Sequence, residues 1–435
     1  MSRLAIIGAG WAGLAAAIAA TRAGHHVTLF EAARAPGGRA RALAGQLPNG
    51  QAVMLDNGQH ILIGAYSDTL ALMQEVGVDT DAVLHRQAMT LRFVDGSGLG
   101  FPDWPTPLDA LGGILGARGW TVADKLSLLR AAAGWRLQKF TCSPDLTVSE
   151  LCRRLRPRVM AGLIEPLCVS ALNTPANRAS AQVFLRVMQD ALFSVPGGSQ
   201  LLLPRTDLSQ LLPVQALAWL QARGATLQLG QRVQALQKTQ RGWQAAGEDF
   251  DAVILGTDAS NACRILEESI SFAPDSVAIK LQAWALQAAA LPFEAIATVY
   301  AWAPGARLQT PMLSLRSQDG PGSQAPAQFV FDRGQLGGPA GLLAFVVSAS
   351  VDGRQAIEQA VLSQARQQLG LAVQAVQTVV EKRATFACTP GLARPAQAVA
   401  SGLAACGDYV AGPYPATLEG AVRSGLQAAA CMPAH

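Results

Sequence analysis

The N-terminal residues alternate between apolar runs and a segment of small side chains. Residues 4–7 and 27–30 are apolar runs of strand length. Residues 14–20 between them are rich in alanine, the strongest helix former, and Gly24 stands where such a helix would end. This order predicts a strand, a helix and a second strand, which is the unit from which parallel sheets are built.

Similar patterns continue along the chain. Residues 66–205 are mostly helical and apolar in pattern, a further helix is expected at 211–223, and 355–369 is expected to be the one long helix of residues 270–400. Strands are expected at residues 225–229, 232–236, 243–246, 250–257, 297–302, 329–331, 342–348 and 402–408. Helices and strands that alternate in this way indicate a mixed α/β chain.

The composition is compatible with a protein that binds apolar compounds. At 435 residues the chain can bury a substantial core and is expected to form one intertwined body of two domains. Charged residues make up 15% of the chain, below the roughly 25% usual in soluble domains, and the mean hydropathy is +0.23. The net charge is only +4 without a basic cluster, which gives no support to nucleic-acid binding.

The seven cysteines are scattered, with no Cys-x-x-Cys pair and no metal-ligand spacing. Their odd number argues against a framework of disulfides, so we expect a reduced, cytoplasmic protein without a metal site. A strand is predicted almost at the first residue, which leaves no room for a signal peptide.

Two stretches are apolar enough to raise the question of membrane contact. No run reaches the roughly 18 uninterrupted apolar residues that a membrane helix needs. Residues 108–137 nevertheless combine Leu, Ala and Gly with two tryptophans, and residues 201–204 and 211–213 form a second apolar patch. Two interpretations stay open. Substrate-domain helices pack on one another there, or a peripheral surface dips into the inner face of a membrane to admit a lipid.

The turn after the first predicted strand carries the glycine pattern Gly8-x-Gly10-x-x-Gly13, and Glu31 ends the second strand. Gly8 allows a sharp turn, Gly10 lets the backbone approach a pyrophosphate, and Gly13 lets the helix pack closely on the strand. The helix start directs free N–H groups at the phosphates. Glu31 is placed to bind an adenosine ribose, which disfavours NADP. The pattern therefore predicts an adenine dinucleotide.

A second glycine-rich loop narrows the cofactor. Gly37, Gly38 and Arg39 follow the acid within one loop, where backbone and guanidinium come back onto the phosphates. Together with the first pattern, this loop resembles the second signature of the superfamily of flavin-containing amine oxidases and phytoene desaturases. The resemblance implies that the dinucleotide is FAD.

The same resemblance gives roles to residues far along the chain. Gly407 and Asp408 end an apolar run, and a helix is expected to begin near Thr417 and Leu418. In the superfamily the Gly-Asp pair binds the ribityl or phosphate part of FAD, and the helix start faces the flavin edge that becomes negative on reduction. Val233 stands where the superfamily binds the adenine through backbone atoms. The resemblance thus implies a noncovalent FAD site formed from both ends of the chain.

Residues 55–66 narrow the family further. The run Asp-Asn-Gly-Gln-His-Ile-Leu-Ile-Gly-Ala-Tyr, with Gly58 and Gln59 expected beneath the flavin, is similar to the hydroxysqualene dehydroxylases, also called squalene-associated FAD-dependent desaturases. Residues 165–174 and 382–408 share this similarity, which runs essentially end to end.

The resemblance implies the fold class as well. We expect an α/β fold in which a Rossmann-type FAD-binding domain is interleaved with an α+β substrate-binding domain. On that basis the FAD-binding domain comprises residues 1–65, 206–265 and 400–435, and the substrate-binding domain comprises residues 66–205 and 266–399.

The activity that the resemblance implies is a reductive step in squalene and hopanoid synthesis. Hydroxysqualene would lose its allylic hydroxyl group and accept a hydride from N5 of reduced FAD, giving squalene. Three alternatives stay open: an isoprenoid desaturase that runs oxidatively, a flavin amine oxidase whose aromatic cage has one evident wall in Tyr414, and a non-catalytic lipid-binding module. A second nicotinamide fingerprint is missing, so the sequence does not identify the electron donor.

Departure of the hydroxyl group requires a proton. His60 is the candidate acid, because it lies in the segment expected beside the flavin and an imidazole can be protonated near neutral pH. A structural histidine that bonds to the backbone or the flavin is the alternative. Asp56 is expected to orient its loop, and Glu419 to favour the start of the final helix.

Overall fold

The computed structural model describes residues 2–105, 107–318 and 320–432. Its strands are β1 Arg3–Ile7, β2 His26–Glu31, β3 Ala42–Gln46, β4 Ala52–Asp56, β5 Leu62–Ile63, β6 Leu84–Gln87, β7 Thr90–Arg92, β8 Gly98–Gly100, β9 Leu201–Pro204, β10 Thr226–Leu229, β11 Leu236–Lys238, β12 Trp243–Ala245, β13 Glu248–Phe250, β14 Ala252–Leu255, β15 Phe293–Trp302, β16 Met312–Ser314, β17 Phe329–Asp332, β18 Leu342–Val347, β19 Gln374–Phe386, β20 Ala398–Ala400 and β21 Leu403–Ala405.

The helices are α1 Trp11–Arg22, α2 Ser67–Glu75, α3 Thr80–Val83, α4 Leu108–Gly116, α5 Val122–Leu137, α6 Val148–Leu151, α7 Pro157–Val159, α8 Glu165–Leu172, α9 Ala181–Gln189, α10 Leu208–Leu211, α11 Pro213–Gln221, α12 Ala259–Ser269, α13 Asp275–Ala289, α14 Arg354–Leu369 and α15 Leu418–Ala430. Two π-helical turns, Met160–Ile164 and Asp190–Ser194, lie next to α8 and α9.

A mostly parallel sheet has the strand order β10–β2–β1–β14–β21–β20, in which only the edge strand β20 runs antiparallel to its neighbour. Alternate residues of β1 enter different apolar clusters. Leu4 and Ile6 pack in the cluster that contains α1, whereas Ala5 and Ile7 pack in the larger cluster on the other face. An apolar run of strand length buried on both faces is typical of a central parallel strand. The predicted α/β fold class is confirmed.

Helix α1 packs against α15, the final helix. A Cβ atom at Gly425 of α15 would lie 2.1 Å from the carbonyl oxygen of Ala12, so the two helices approach at a point that only glycine allows. The alanines of α1 make this possible from the other side, since ten consecutive residues from Trp11 to Ala20 are buried. The two ends of the chain therefore meet in one layer beside the sheet.

An antiparallel sheet with strand order β16–β17–β18–β15–β19 forms the second large layer. Its longest strands are β15 and β19, which pair along most of their length. Helix α14 covers one face, where Ile357 and Val361 join a core that includes Val299 and Phe345. This sheet supplies part of the wall of the site described below.

The strands of the parallel sheet come from residues 3–31, 226–255 and 398–405. Strand β20 begins at Ala398, two residues before the boundary expected at 400, and residues 433–435 of the expected FAD-binding segment lie outside the described residues. The division of the chain into two domains stays a prediction.

Two expectations for local structure are wrong, and a third, the mostly helical pattern of residues 66–205, is incomplete. The strand expected at residues 232–236 is absent from 232–235, and β11 begins only at Leu236. Gly230 has a φ of +76° and the N–H of Gln231 donates to the carbonyl of Glu31, so the backbone turns along the end of the sheet. Residues 66–205 contain strands β6 to β9 among their helices. Helix α13 is a second long helix within residues 270–400, and its exposed Ile279 and Leu286 obscure the apolar periodicity of its buried side.

Helices α4, α5, α8 and α9 and both π-helical turns lie between β8 and β9 in the chain. Within residues 2–105, 107–318 and 320–432, none of the helices has both the length and the hydropathy that crossing a bilayer requires.

Candidate functional site

The carboxyl ends of the parallel strands open into a cavity of about 1130 Å³, which we call the large cavity. Gly8 follows β1, Glu31 ends β2, Gly256 follows β14 and Gly407 lies beyond β21, and all four residues line it. Open parallel sheets bind their ligands at this edge. The sheet thus brings together chain segments that are distant in sequence.

All but one of the predicted site residues line the large cavity. They are Gly8, Gly10, Glu31, Gly38, Arg39, Gly58, Gln59, Val233, Gly407, Asp408, Thr417 and Leu418, together with the candidate acid His60. Gly13 is the exception. A Cβ atom there would lie 1.9 Å from the carbonyl oxygen of Gly8, so Gly13 permits close packing of α1 on β1 and does not face the cavity.

The start of α1 is arranged to bind an anion. The N-cap residue of α1 is Gly10, which has no side chain to accept hydrogen bonds from the first N–H groups. The first turn of α1 also contains no acidic residue. The first N–H groups of a helix have no partner within the helix and carry a partial positive charge. Glu31 lies beside this turn and accepts hydrogen bonds from the N–H groups of Ala9 (2.7 Å) and Ala33 (2.8 Å). A phosphate and a ribose would thus meet suitable groups side by side.

Arg39 and Asp408 form an ion pair that joins the two ends of the chain. Arg39 Nη2 lies 2.5 Å from Asp408 Oδ1, and Arg39 Nη1 donates to the carbonyl of Ala384 at 2.6 Å. Both residues line the cavity. The sequence predicted that each would contact the cofactor; the structure adds that they contact each other.

Two buried polar atoms lack a hydrogen-bond partner among the described residues and belong to residues that line the large cavity. They are Oε1 of Gln59 and Oγ1 of Thr385. Buried polar atoms are almost always paired in folded proteins, so unpaired ones in a cavity wall indicate a polar ligand. A flavin ring has carbonyl and N–H groups along its edge, and the amide and hydroxyl groups of these side chains fit such a ligand.

His60 is partly buried, with its Nδ1 atom 2.9 Å from the carbonyl of Gly58. Because that carbonyl only accepts, Nδ1 carries the proton and Nε2 is unprotonated in the neutral ring. Burial lowers the pKa of His60, outweighing the bond to Gly58, which raises it; the positive charge of Arg39 adds to the lowering. The imidazole is therefore neutral at pH 7, and its role as an acid stays a prediction.

Asp56 lies just outside the large cavity, at the end of β4. Its side chain is buried, accepts a hydrogen bond from the N–H of Leu208 at 2.8 Å and lies 4.0 Å from the guanidinium of Arg333. Burial raises the pKa of Asp56 to about 6, although the hydrogen bond and Arg333 both act to lower it. Asp56 thus ties the loop before Gly58 to α10 and to the second sheet.

A second cavity of about 560 Å³ adjoins the large one, and we call it the apolar cavity. Side chains of α4, α5, α8 and the two π-helical turns form most of its wall, and they are predominantly Leu, Ile, Ala, Met and aromatic residues. The residues that line both cavities are Ile61, Tyr66, Ser170, Ala171 and Thr417. This set, which we call the junction, marks where a ligand in one cavity meets a ligand in the other.

Sequence reasoning missed the start of α12. Thr257, Asp258 and Asn261 line the large cavity, and Asp258 caps the helix by accepting a hydrogen bond from the N–H of Asn261 at 3.1 Å. The signal was present, since an Asp three residues after the end of a buried parallel strand stands at the ligand-binding edge of the sheet and is a favoured N-cap. Tyr66 was also missed as a site residue.

Comparisons with known proteins agree with this geometry. The family model described as flavin containing amine oxidoreductase matches residues 11–433. The hydroxysqualene dehydroxylase of Zymomonas mobilis subsp. mobilis is 27% identical and aligns over 99% of this chain and 98% of its own; that of Sinorhizobium fredii is 26% identical over 98% and 96%. The predicted resemblance to this group is confirmed.

Among solved structures, an oxidoreductase from Methanosarcina mazei has a TM-score of 0.72, with 16% identity over 98% of this chain and 99% of its own. At that identity the likeness concerns the fold alone.

Proposed function

Since the family model matches residues 11–433, the chain belongs to the flavin containing amine oxidoreductases, and we propose that it converts hydroxysqualene to squalene. The protein is an FAD-dependent oxidoreductase. The observation that carries the proposal is the apolar cavity that meets the large cavity at the junction. The two full-length relatives named hydroxysqualene dehydroxylase support the choice of substrate.

In this proposal the large cavity holds FAD. The start of α1 and Gly10 would hold the pyrophosphate, Glu31 the adenosine ribose, and the 231–233 backbone the adenine. Asp408, with Arg39 beside it, would hold the ribityl or phosphate part, and the start of α15 at Leu418 would face the flavin. Bound FAD, once reduced, supplies a hydride.

The proposed reaction is balanced by one hydride and one proton. The C–O bond of the allylic alcohol breaks, the oxygen leaves as water after receiving the proton, and the allylic carbon receives the hydride. Positive charge on that carbon is spread over the double bond. The protein's contribution is to protonate the departing oxygen and to keep bulk water away, and the apolar side chains around the junction serve the second purpose.

The apolar cavity binds a long hydrocarbon without charged anchors. Each CH₂ group moved out of water contributes about 0.8 kcal/mol, so an isoprenoid chain has a large driving force for entry. A hydroxyl group at the reacting carbon would then lie at the junction, the place where the wall becomes polar.

The decisive experiment is anaerobic. The purified protein is photoreduced and mixed with hydroxysqualene, and flavin absorbance and products are followed. Reoxidation of the flavin with formation of squalene supports the proposal, and failure of both refutes it. Reduction of the oxidised flavin by an unsaturated isoprenoid hydrocarbon, with formation of a new double bond, would instead identify a desaturase.

We further propose that the substrate enters from a membrane at the α4–α5 surface, defined by Trp104, Leu108, Leu111, Leu115, Val122 and Leu126. These side chains are between 41% and 74% exposed. Spacings of three and four residues put the leucines of α4 on one stripe, and Leu108 and Leu111 also line the apolar cavity. A lipid lying against this surface is therefore next to the cavity wall.

Three basic side chains lie beside the α4–α5 surface. Lys125 donates to the carbonyl of Leu115 at 2.5 Å, and Arg158 donates to the carbonyl of Gly119 at 2.8 Å. Arg156 and Arg158 both flank Asp124 at the start of α5, and their side chains are more than half exposed. The sequence showed no basic cluster, because the basic residues near positions 118 and 156 are distant along the chain and come together only in the fold. Anionic headgroups attract such a group of charges.

Sedimentation with anionic vesicles tests this contact. Leu115→Glu should weaken vesicle binding by about tenfold or more, since a buried leucine contributes about 1.5–3 kcal/mol. Leu115 does not line the apolar cavity, so catalysis with detergent-dispersed substrate should persist. Ile279→Glu on α13 is the matched control, an exposed apolar side chain on another helix. If the unaltered protein does not bind vesicles, the membrane contact is refuted.

A further inference from the structure

The junction contains hydroxyl groups in an otherwise apolar wall. They belong to Tyr66, Ser170 and Thr417, which line both cavities. We propose that the phenol of Tyr66 binds the hydroxyl group of the lipid substrate and so selects an isoprenoid alcohol over the matching hydrocarbon. This inference rests on the proposed function for its substrate class, and it assigns the selection to one side chain.

The other two hydroxyl groups at the junction have partners that use their protons. Ser170 donates to the carbonyl of Leu167 one helical turn back, at 3.2 Å. Thr417 caps α15, where its oxygen accepts from the N–H of Gly420 at 3.0 Å, and its proton is shared between the carbonyl of Pro415 at 3.4 Å and the phenol oxygen of Tyr66. Tyr66 is the largest of the three side chains. Its hydrogen bond with Thr417 acts to lower the pKa of the phenol, which is the effect of a bond that the phenol oxygen accepts, so the phenol proton stays available. Its phenol is the hydroxyl best placed to donate to a ligand.

Tyr66 is held in place by a buried carboxylate. It occupies the N-cap position of α2, and Glu419 of α15 accepts hydrogen bonds from Thr69 N (2.9 Å), Thr69 Oγ1 (2.7 Å) and Asp68 N (3.2 Å) in the first turn of that helix. Arg423 pairs with the same carboxylate at 2.7 Å. Glu419 thereby fixes the start of α2 against the start of α15, and it acts as a positioning residue for Tyr66.

The protonation state of Tyr66 suits a donor. Burial raises the pKa of its phenol far above the ordinary value, and the negative charge of Glu419 raises it further, against a smaller opposing effect of the hydrogen bond with Thr417. The phenol therefore keeps its proton throughout the neutral range. His60 differs in this respect, since its ring is neutral and its N–H is used by Gly58.

Equilibrium binding to the oxidised holoenzyme tests the inference, because without a reductant hydroxysqualene binds and is not consumed. Dissociation constants for hydroxysqualene and squalene are measured by quenching of protein fluorescence. Tyr66→Phe should weaken hydroxysqualene binding by about threefold to tenfold, the value of one ordinary hydrogen bond, and change squalene binding less than about twofold. Equal FAD content and circular dichroism establish that the variant is folded.

Tyr414→Phe is the matched control, since Tyr414 lines the apolar cavity without reaching the large one. It should leave the ratio of the two dissociation constants unchanged. The inference is overturned if Tyr66→Phe leaves that ratio unchanged, if it weakens both ligands equally, or if Tyr414→Phe alone removes the preference. Glu419→Gln provides a second route, because a weaker clamp on α2 should reduce the same ratio while squalene binding persists.

This outcome is separable from that of the proposed reaction. Loss of the preference in Tyr66→Phe, with no squalene formed by the photoreduced unaltered protein, would uphold the alcohol site and refute the reaction. Formation of squalene with an unchanged preference in Tyr66→Phe would do the reverse.

Discussion

Replacement of Asp56 by asparagine should make the fold less sensitive to pH between mildly acidic and mildly basic conditions. Asp56 is 3% exposed, and its carboxylate has the N–H of Leu208 and the guanidinium of Arg333 as neighbours. These neighbours do not offset the loss of hydration, so the pKa of the carboxyl group is raised to about 6. The folded protein therefore takes up a proton there more readily than the unfolded chain.

The size of the effect follows from the shift. An aspartic acid in an unfolded chain has a pKa of about 3.9, so the shift is about two pKa units and corresponds to about 3 kcal/mol. Because the folded pKa is the higher one, this stability is fully present below the unfolded pKa and is lost as the pH rises through 6. In that window the free energy of unfolding should fall by about 1.4 kcal/mol per pH unit.

Urea unfolding followed by tryptophan fluorescence measures the effect on the FAD-loaded protein at several pH values. The free energy of unfolding of Asp56→Asn minus that of the unaltered protein should rise by about 2 kcal/mol between about pH 4.5 and pH 8, since about a third of the full effect lies below pH 4.5. The substitution also removes the partner of Arg333. This adds a pH-independent constant to the free-energy difference, since the guanidinium is charged at every pH of the series. A difference independent of pH, or one that falls as the pH rises, would refute the reasoning.

Asp95 provides a control of opposite sign. Hydrogen bonds from Ser97 lower the pKa of Asp95, which lies on an exposed loop. Its contribution to stability is therefore present above the unfolded pKa and lost as the pH falls through the lower, folded value. Asp95→Asn should show its pH dependence only at the acidic end of the series.

Three further substitutions test the site. Gly13→Ala should fail to retain FAD, measured by absorbance near 450 nm, because its Cβ would lie 1.9 Å from a backbone oxygen; Gly134→Ala, with open space around it, should retain FAD. Arg39→Met should weaken FAD binding by about tenfold, whereas Arg22→Met, which breaks an exposed ion pair far from the cavity, should not. His60→Gln with FAD retained should remove the rise in turnover toward acidic pH that a catalytic imidazole of lowered pKa implies; undiminished turnover would rule out its role as the acid.

Local patterns predicted the fold where each element carries its own signal. The strand, glycine turn and helix that begin with Arg3 are encoded within a few residues, and the structure has them as expected. The strand expected at residues 232–236 failed because pairing depends on neighbours in space, and here the backbone bonds to Glu31 at the end of another strand. Helix α13 was missed because two exposed apolar residues blur its period.

The site residues also divide into those that a local motif predicted and those that only the fold brings together. Glycine motifs with acids at fixed spacing predicted residues that do line the large cavity, whereas Gly13 of the same motif does not line it and permits close packing of α1 on β1. Tyr66 could not be singled out, because its importance comes from its contact with both cavities and with the start of α15. The basic group near Lys125 escaped notice for the same reason, since its members come from separate segments.

The ion pair between Arg39 and Asp408 spans 369 positions in the sequence. During synthesis the glycine turn after β1 is made early, while β21 and α15, which complete the wall of the large cavity, emerge last. A growing chain can therefore pair its first two strands but cannot close the cavity until nearly all of it has left the ribosome. Assembly of the cofactor site is thus a late event in the life of each molecule, and a chain cut short before residue 408 should be colourless.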